Sequence, residues 1–319
     1  MEPALKLEIA KHSRKYITSK TLSQVDFANK SGVPKEYITN ILKGNFEINA
    51  GADKVVVIAD KYFQKLADFI GYETEASYWE NRATPQFISI IANLQDAKKY
   101  RSTSLIIGET GSGKSHGINL FLRKYPTDTF VVTIGSTDNL TDIIDKIIDV
   151  LKITTGKSKS KKLGDIAKKL KSLKEAGLEP QLIFDESEYM KQPALCSVKE
   201  LHDYLNKYCS LVLIGTQQLL SNIDILRKRN KPGIPQFYRR IKFGIRLLPA
   251  VDKSFKLFLN DIESIEVKKF LRRICENYGE LHDVLVPVKR EAERTGETIT
   301  EDFIRKVLNL PISLYAKRS

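Results

Sequence analysis

Apolar and polar positions change rhythm twice along the chain. Up to about residue 70 the apolar residues recur at helical spacing. From about residue 86, short unbroken apolar runs alternate with helical stretches, and after Pro249 the helical rhythm returns. The sharpest pattern in the first region is SQVDFANKSGVPKEYITNILKG, residues 23–44. Ser23 can cap a helix carrying Phe27 and Ala28, and Gly32 can supply the positive φ of a tight turn. Pro34 can open the next helix, where its missing N–H does no harm. Ile38, Ile41 and Leu42 then share one face, and Gly44 ends it. The expectation is two short helices joined by a tight turn, within a region that reads as all-helical.

The unbroken runs are SLIIG (104–108), TFVVTIG (129–135), QLIFDE (181–186) and SLVLIGT (210–216), with FGIRLLP (243–249) as a last candidate. Runs of this kind suit parallel strands buried on both faces. Helices are expected at roughly 115–125, 139–152, 163–176 and 195–208. Alternation of this kind implies an α/β fold with a parallel sheet and right-handed crossovers. The expected domains are 1–70, a linker over 71–85 holding Trp79 as a packing residue, an α/β core over 86–249, and a helical region over 250–319. Thr300 starts a late helix, with Glu301 and Asp302 where the helix dipole favours them.

Composition narrows the function classes. At 319 residues the chain exceeds one comfortable core, and 42 % apolar residues suffice to form one. No apolar run of about 18 residues exists, so no membrane partner is expected. The start, MEPALKLEIAKHSRKY, is too charged for a secretory segment. Cys196, Cys209 and Cys275 are scattered and read as reduced thiols, giving an expected cytoplasmic location. His12, His116, His202 and His282 lack zinc-site spacing. The net charge of +13 makes nucleic acid the leading partner class. The 23–44 segment resembles the helix-turn-helix of lambda-repressor-like domains, whose second helix enters the major groove. Lys35, Asn40 and Lys43, with Glu36 and Thr39, are its expected exposed positions; the alternative is a helical hairpin that packs without touching DNA.

The stretch GETGSGKS fits G-x-x-x-x-G-K-[ST], and it follows a strand and precedes a helix. Gly108, Glu109, Thr110, Gly111, Ser112, Gly113, Lys114 and Ser115, with His116 next, form the expected ATP-binding loop. Glycines let backbone N–H groups converge on phosphate oxygens, and the helix start points its positive end at them. Lys114 serves the β- and γ-phosphates, and the Ser115 hydroxyl serves Mg²⁺. LIFDE supplies the acids: Asp185 to orient Mg²⁺ and Glu186 as general base. Two basic runs remain. In TGKSKSKKLGDIAKKLKSLKE, residues 155–175, Lys157, Lys159, Lys161 and Lys162 read as a flexible stretch before a helix and as DNA-phosphate contacts. Residues 224–247 add Arg227, Lys228 and Arg229, further candidates for DNA.

The order of these parts resembles AAA+ ATPases: a P-loop domain with a parallel sheet, here preceded by the all-α helix-turn-helix domain and followed by a small helical lid. The resemblance implies that Thr216, with Gln217 second, senses the γ-phosphate from the tip of the strand between the two motif strands. It implies that Arg240, or else Arg239, reaches a neighbouring subunit's nucleotide. Where such lids carry an arginine, YGELHD places His282, with Lys289 or Arg290 as alternatives. Over nearly its whole length the chain resembles the phage Mu B family, the AAA+ target-selection ATPases of DNA transposition. That resemblance implies ATP-dependent helical filaments on double-stranded DNA with little sequence preference. It also implies delivery of that DNA to a transposase, and hydrolysis that disassembles the filament and underlies target immunity. A nucleotide-switched helix-turn-helix transcriptional regulator and a helicase-loader-like ATPase are the competing functions.

Overall fold

The computed structural model describes residues 3–49, 55–72 and 78–311. The chain divides into two compact units, Met1–Ser77 with Leu122–Thr127, and Tyr78–Phe121 with Asp128–Ser319.

In the first unit α1 (Pro3–Ser19), α2 (Gln24–Ser31), α3 (Lys35–Lys43) and α4 (Asp60–Ile70) enclose a core that includes Ile9, Phe27, Ile38, Ile41 and Phe63. The Ser23 side chain caps α2, and Gly32 ends it at φ 67°. The unit is not purely helical. Strands β1 (Glu47–Asn49) and β2 (Val55–Val57) pair antiparallel after α3. Three-residue strands are too short to show a period, which is why the sequence pattern passes over them.

The second unit is built on α5 (Pro85–Tyr100), β3 (Thr103–Ile107), α6 (Lys114–Lys124), β4 (Thr129–Thr133), α7 (Leu140–Leu151), α8 (Lys159–Glu175), β5 (Gln181–Asp185), α9 (Gln192–Leu205), β6 (Ser210–Gly215), α10 (Gln217–Lys228), α11 (Ile234–Ile241) and β7 (Ile245–Leu247). The sheet order is β4-β5-β6-β3-β7, and every neighbouring pair is parallel, as expected. Every position of β5 and β6 is buried, so helices must cover both faces. Helices α7, α8 and α9 cover one face through Ile144, Ile166 and Leu195. After β7, α12 (Lys256–Leu259), α13 (Ile265–Ile274), α14 (Tyr278–Thr295) and α15 (Glu301–Val307) pack around Phe270, Leu271, Leu281 and Phe303. Among the described residues no helix is long and apolar enough to cross a membrane.

Residues 73–77 of the expected linker lie outside the described residues. Trp79 packs on α12, its ring stacked on Phe258 with centroids 4.5 Å apart. Helix α8 begins at Lys159 because Ser158 accepts the Lys161 N–H. This corrects the flexible stretch expected there: Lys159, Lys161 and Lys162 are helical, and only Lys157 precedes the helix.

A buried ion pair fastens the foot of the sheet. Lys98, at the end of α5, donates to Asp128 Oδ1 at 2.8 Å, to Thr129 Oγ1 and to the Glu179 carbonyl. Asp128 Oδ2 accepts the Glu179 N–H at 3.0 Å. Burial pulls the Lys98 amine down from its ordinary value, and Asp128 opposes that pull. Asp128→Ala leaves a buried cation with neutral partners. It is expected to cost about 3–5 kcal/mol, read as a lower urea midpoint of the sheet's unfolding by circular dichroism.

Candidate functional site

Strand β3 ends at Ile107, opposite Gly215 of β6, and hands the chain into the glycine loop. Gly111 and Gly113 have φ of 70° and 86°, the left-handed region that side chains rarely adopt. A Cβ at Gly111 would also collide with the side chain of Asn277, the cap of α14. The Gly279 N–H donates to the Gly111 carbonyl at 3.2 Å, so α14 touches the loop directly. Lys114 opens α6 and turns its amine back onto the loop. It donates to the Gly108 carbonyl at 3.0 Å and the Glu109 carbonyl at 2.7 Å. Burial lowers the Lys114 pKa, and Glu188, Asp185 and Glu186 pull the other way.

Ser115 Oγ donates to Asp185 Oδ2 at 2.7 Å. The two lie 70 residues apart in sequence, and parallel β3 and β5 deliver both at the carboxyl end of the sheet. Asp185 is buried, and its other oxygen accepts the Glu186 N–H. A hydroxyl beside a buried carboxylate is a hard-oxygen donor set that fits Mg²⁺, which keeps most of its waters. Ser112 Oγ is buried with no hydrogen-bond partner among the described residues, a free polar atom at the loop's centre.

Glu186 is exposed and left-handed at φ 56°, and starts the 3₁₀ turn Ser187–Tyr189. Thr216 follows β6 and precedes α10, and its N–H donates to Glu188 Oε2 at 3.3 Å. Thr110 to His116, Asp185, Glu186, Thr216 and His282 all line one cavity of about 500 Å³, within the ordinary range for a small-molecule site. Gly108 and Glu109 do not line it; the Glu109 side chain instead accepts the Val251 N–H. Gln217, Lys289 and Arg290 are absent from its wall. His116 Nε2 meets Asn81 Oδ1 at 2.5 Å. His282 stands edge-on to Trp79 and pairs with Asp283.

Sequence reasoning passed over the other end of the cavity. Trp79, Phe87, Phe258 and Tyr278 form an apolar wall there, drawn from the segment before α5, from α5 itself and from the lid. It also passed over Glu188. A carboxylate two positions after a recognised acidic pair carries no signal of its own.

The remaining candidates lie elsewhere. Arg240 Nε donates to Asp203 of α9 at 2.6 Å and its NH1 to the Gln236 carbonyl. Arg239, one position earlier, is exposed. Arg227 and Lys228 both pair with Asp224, while Arg229 is exposed. Lys162 pairs with Asp145, whereas Lys157, Lys159 and Lys161 are exposed. In the first unit Lys35 and Lys43 are exposed on α3, and Asn40 donates to the Glu36 carbonyl of its own helix.

Comparison with known proteins agrees with this geometry. The model of the AAA domain family matches residues 97–223. No curated protein matches significantly by sequence. Among solved structures, Cdc6p from Pyrobaculum aerophilum is similar at 18 % identity and a TM-score of 0.54, over 76 % of this chain and 70 % of that one. The Aeropyrum pernix ORC2 protein, solved in ADPNP and ADP complexes, is similar at 15 % and 0.53, over 74 % and 71 %. The Aeropyrum pernix ORC1 protein, solved in complex with DNA, is similar at 15 % and 0.50, over 68 % and 64 %. A parallel sheet with its glycine loop after β3 and its acidic strand end at β5, carrying an AAA domain match, is the AAA+ P-loop fold.

Proposed function

We propose that this protein is an ATP-hydrolysing, DNA-binding AAA+ protein that works as an oligomer. The observation that carries the nucleotide reading is the 2.7 Å bond between Ser115 and Asp185, which joins the two motifs at one point. In this reading Ser115 and Asp185 hold Mg²⁺, which neutralises charge on the β- and γ-phosphates when bound. The loop N–H groups and the start of α6 cradle the phosphates, and Lys114 moves from its loop carbonyls to them. Glu186 takes the proton of the attacking water. Thr216 stands at the tip of β6 to sense the terminal phosphate, and His282 approaches the nucleotide from the lid. The arginine that completes the site comes from a neighbour. Arg239 suits that role better than Arg240, which its own Asp203 already holds.

The DNA reading rests on the helix-turn-helix of the first unit and on the exposed lysines at the start of α8. Together with the resemblance to the phage Mu B family, they support a filament-forming ATPase that presents duplex DNA to a transposase and lets go on hydrolysis. A nucleotide-switched helix-turn-helix regulator or a helicase-loader-like ATPase is the second reading, and the similar ORC1 protein was itself solved in complex with DNA. Footprinting separates the two: uniform, ATP-dependent protection of any duplex supports the first, and one short protected site independent of nucleotide overturns it. In the same assay Lys157→Ala, Lys159→Ala and Lys161→Ala together are expected to weaken duplex binding. They should also flatten the slope of log K against log salt by about 2–3, near 0.9 for each phosphate no longer neutralised. An unchanged slope removes these lysines from the DNA surface.

A further inference from the structure

Glu188 lies in the middle of the 3₁₀ turn after β5. Its Oε2 accepts the Thr216 N–H at 3.3 Å, at the first residue beyond β6. The carboxylate packs so closely over Gly215 that a Cβ there would stand 2.5 Å from Oε2. Its own carbonyl accepts Asn222 Nδ2 of α10 at 3.1 Å. Glu188 also lines the cavity beside Lys114, Ser115 and Thr216. One side chain therefore touches the tip of β6 and the cavity wall, while its backbone grips α10.

A carboxylate in this place suits the Lys114 ammonium and opposes a second anion arriving beside it. In a low-dielectric pocket that opposition is strong. The γ-phosphate of a nucleoside triphosphate is such an anion, and a diphosphate has none to bring. We propose that Glu188 sets the discrimination between triphosphate and diphosphate, its carboxylate occupying the place beside Lys114 and the β6 tip that a γ-phosphate must take. The inference rests on the nucleotide reading above. Entry of a triphosphate turns the Glu188 side chain away from Thr216, while the backbone bond to Asn222 holds the 3₁₀ turn in place. Diphosphate leaves the contact in place.

Glu188→Gln tests this, because glutamine keeps the shape and the acceptor for Thr216 and removes only the charge. The probes are ADP and a non-hydrolysable ATP analogue, each with Mg²⁺, titrated by calorimetry. Trp79, the single tryptophan of the chain, lines the same cavity and gives a fluorescence check. The analogue is expected to bind the variant about tenfold more tightly than wild type, with ADP unchanged within about twofold. Glu188→Ala should shift in the same selective way, which guards against a fold defect peculiar to either variant. Parallel shifts for both nucleotides, no shift, or weaker binding of the analogue overturn the Glu188 assignment while the nucleotide reading stands. Wild-type protein that binds neither nucleotide overturns both.

Discussion

Lys114→Ala is expected to bind ATP at least about 100-fold more weakly than wild type and to lose hydrolysis. Among the described residues the amine donates to two carbonyls of its own loop, at Gly108 and Glu109. Burial lowers its pKa, so removing it relieves the fold of a poorly solvated cation. Against phosphate the balance reverses. Hydrogen bonds to a charged group contribute about 1.5–3 kcal/mol each, and two of them account for a loss of this size. Calorimetric titration reads the affinity, and an unchanged melting temperature would show that the fold is intact. Near-wild-type ATP affinity in a folded Lys114→Ala protein would remove Lys114 from the phosphate site.

Glu186→Gln is expected to separate binding from turnover. Glutamine cannot accept a proton from water, and loss of a general base lowers rates by about 10²–10⁴-fold. ATP affinity should stay close to wild type, because Ser115, Asp185 and Lys114 are untouched. Glu186 is exposed, so the substitution leaves the core alone. Steady-state phosphate release reads the rate. If hydrolysis drives release from DNA, complexes of the variant with duplex DNA and ATP should persist under electron microscopy after wild-type ones have dissolved. Normal turnover would move the base role to another carboxylate of the cavity, with Glu188 the first to examine.

The contrast between these two residues shows where sequence reading works. Lys114 and Ser115 sit in a loop whose chemistry is local: glycines at 111 and 113 take positive φ, and a helix start follows at once. A fixed spacing therefore carries the geometry with it. The same holds for β5 and β6, whose unbroken apolar runs announce strands covered on both faces. Local cues also placed Ser23 and Gly32 at the ends of α2. They gave out at α8, where one serine cap moved three lysines from a loop into a helix. They gave out again at Arg240, whose partner Asp203 lies on a different helix 37 residues away.

By itself, then, the sequence determined the parallel sheet, the phosphate loop and the acidic strand end, because each follows from periodicity or from the steric needs of neighbouring residues. The tertiary structure decided which of these groups meet. It set Ser115 against Asp185, brought the α14 cap onto Gly111, placed Trp79 on Phe258 and set Glu188 against Thr216. Those pairings depend on strand order, crossover and side-chain direction among elements far apart in the chain. No local pattern encodes them, since only the closing of the core brings such residues within hydrogen-bond reach.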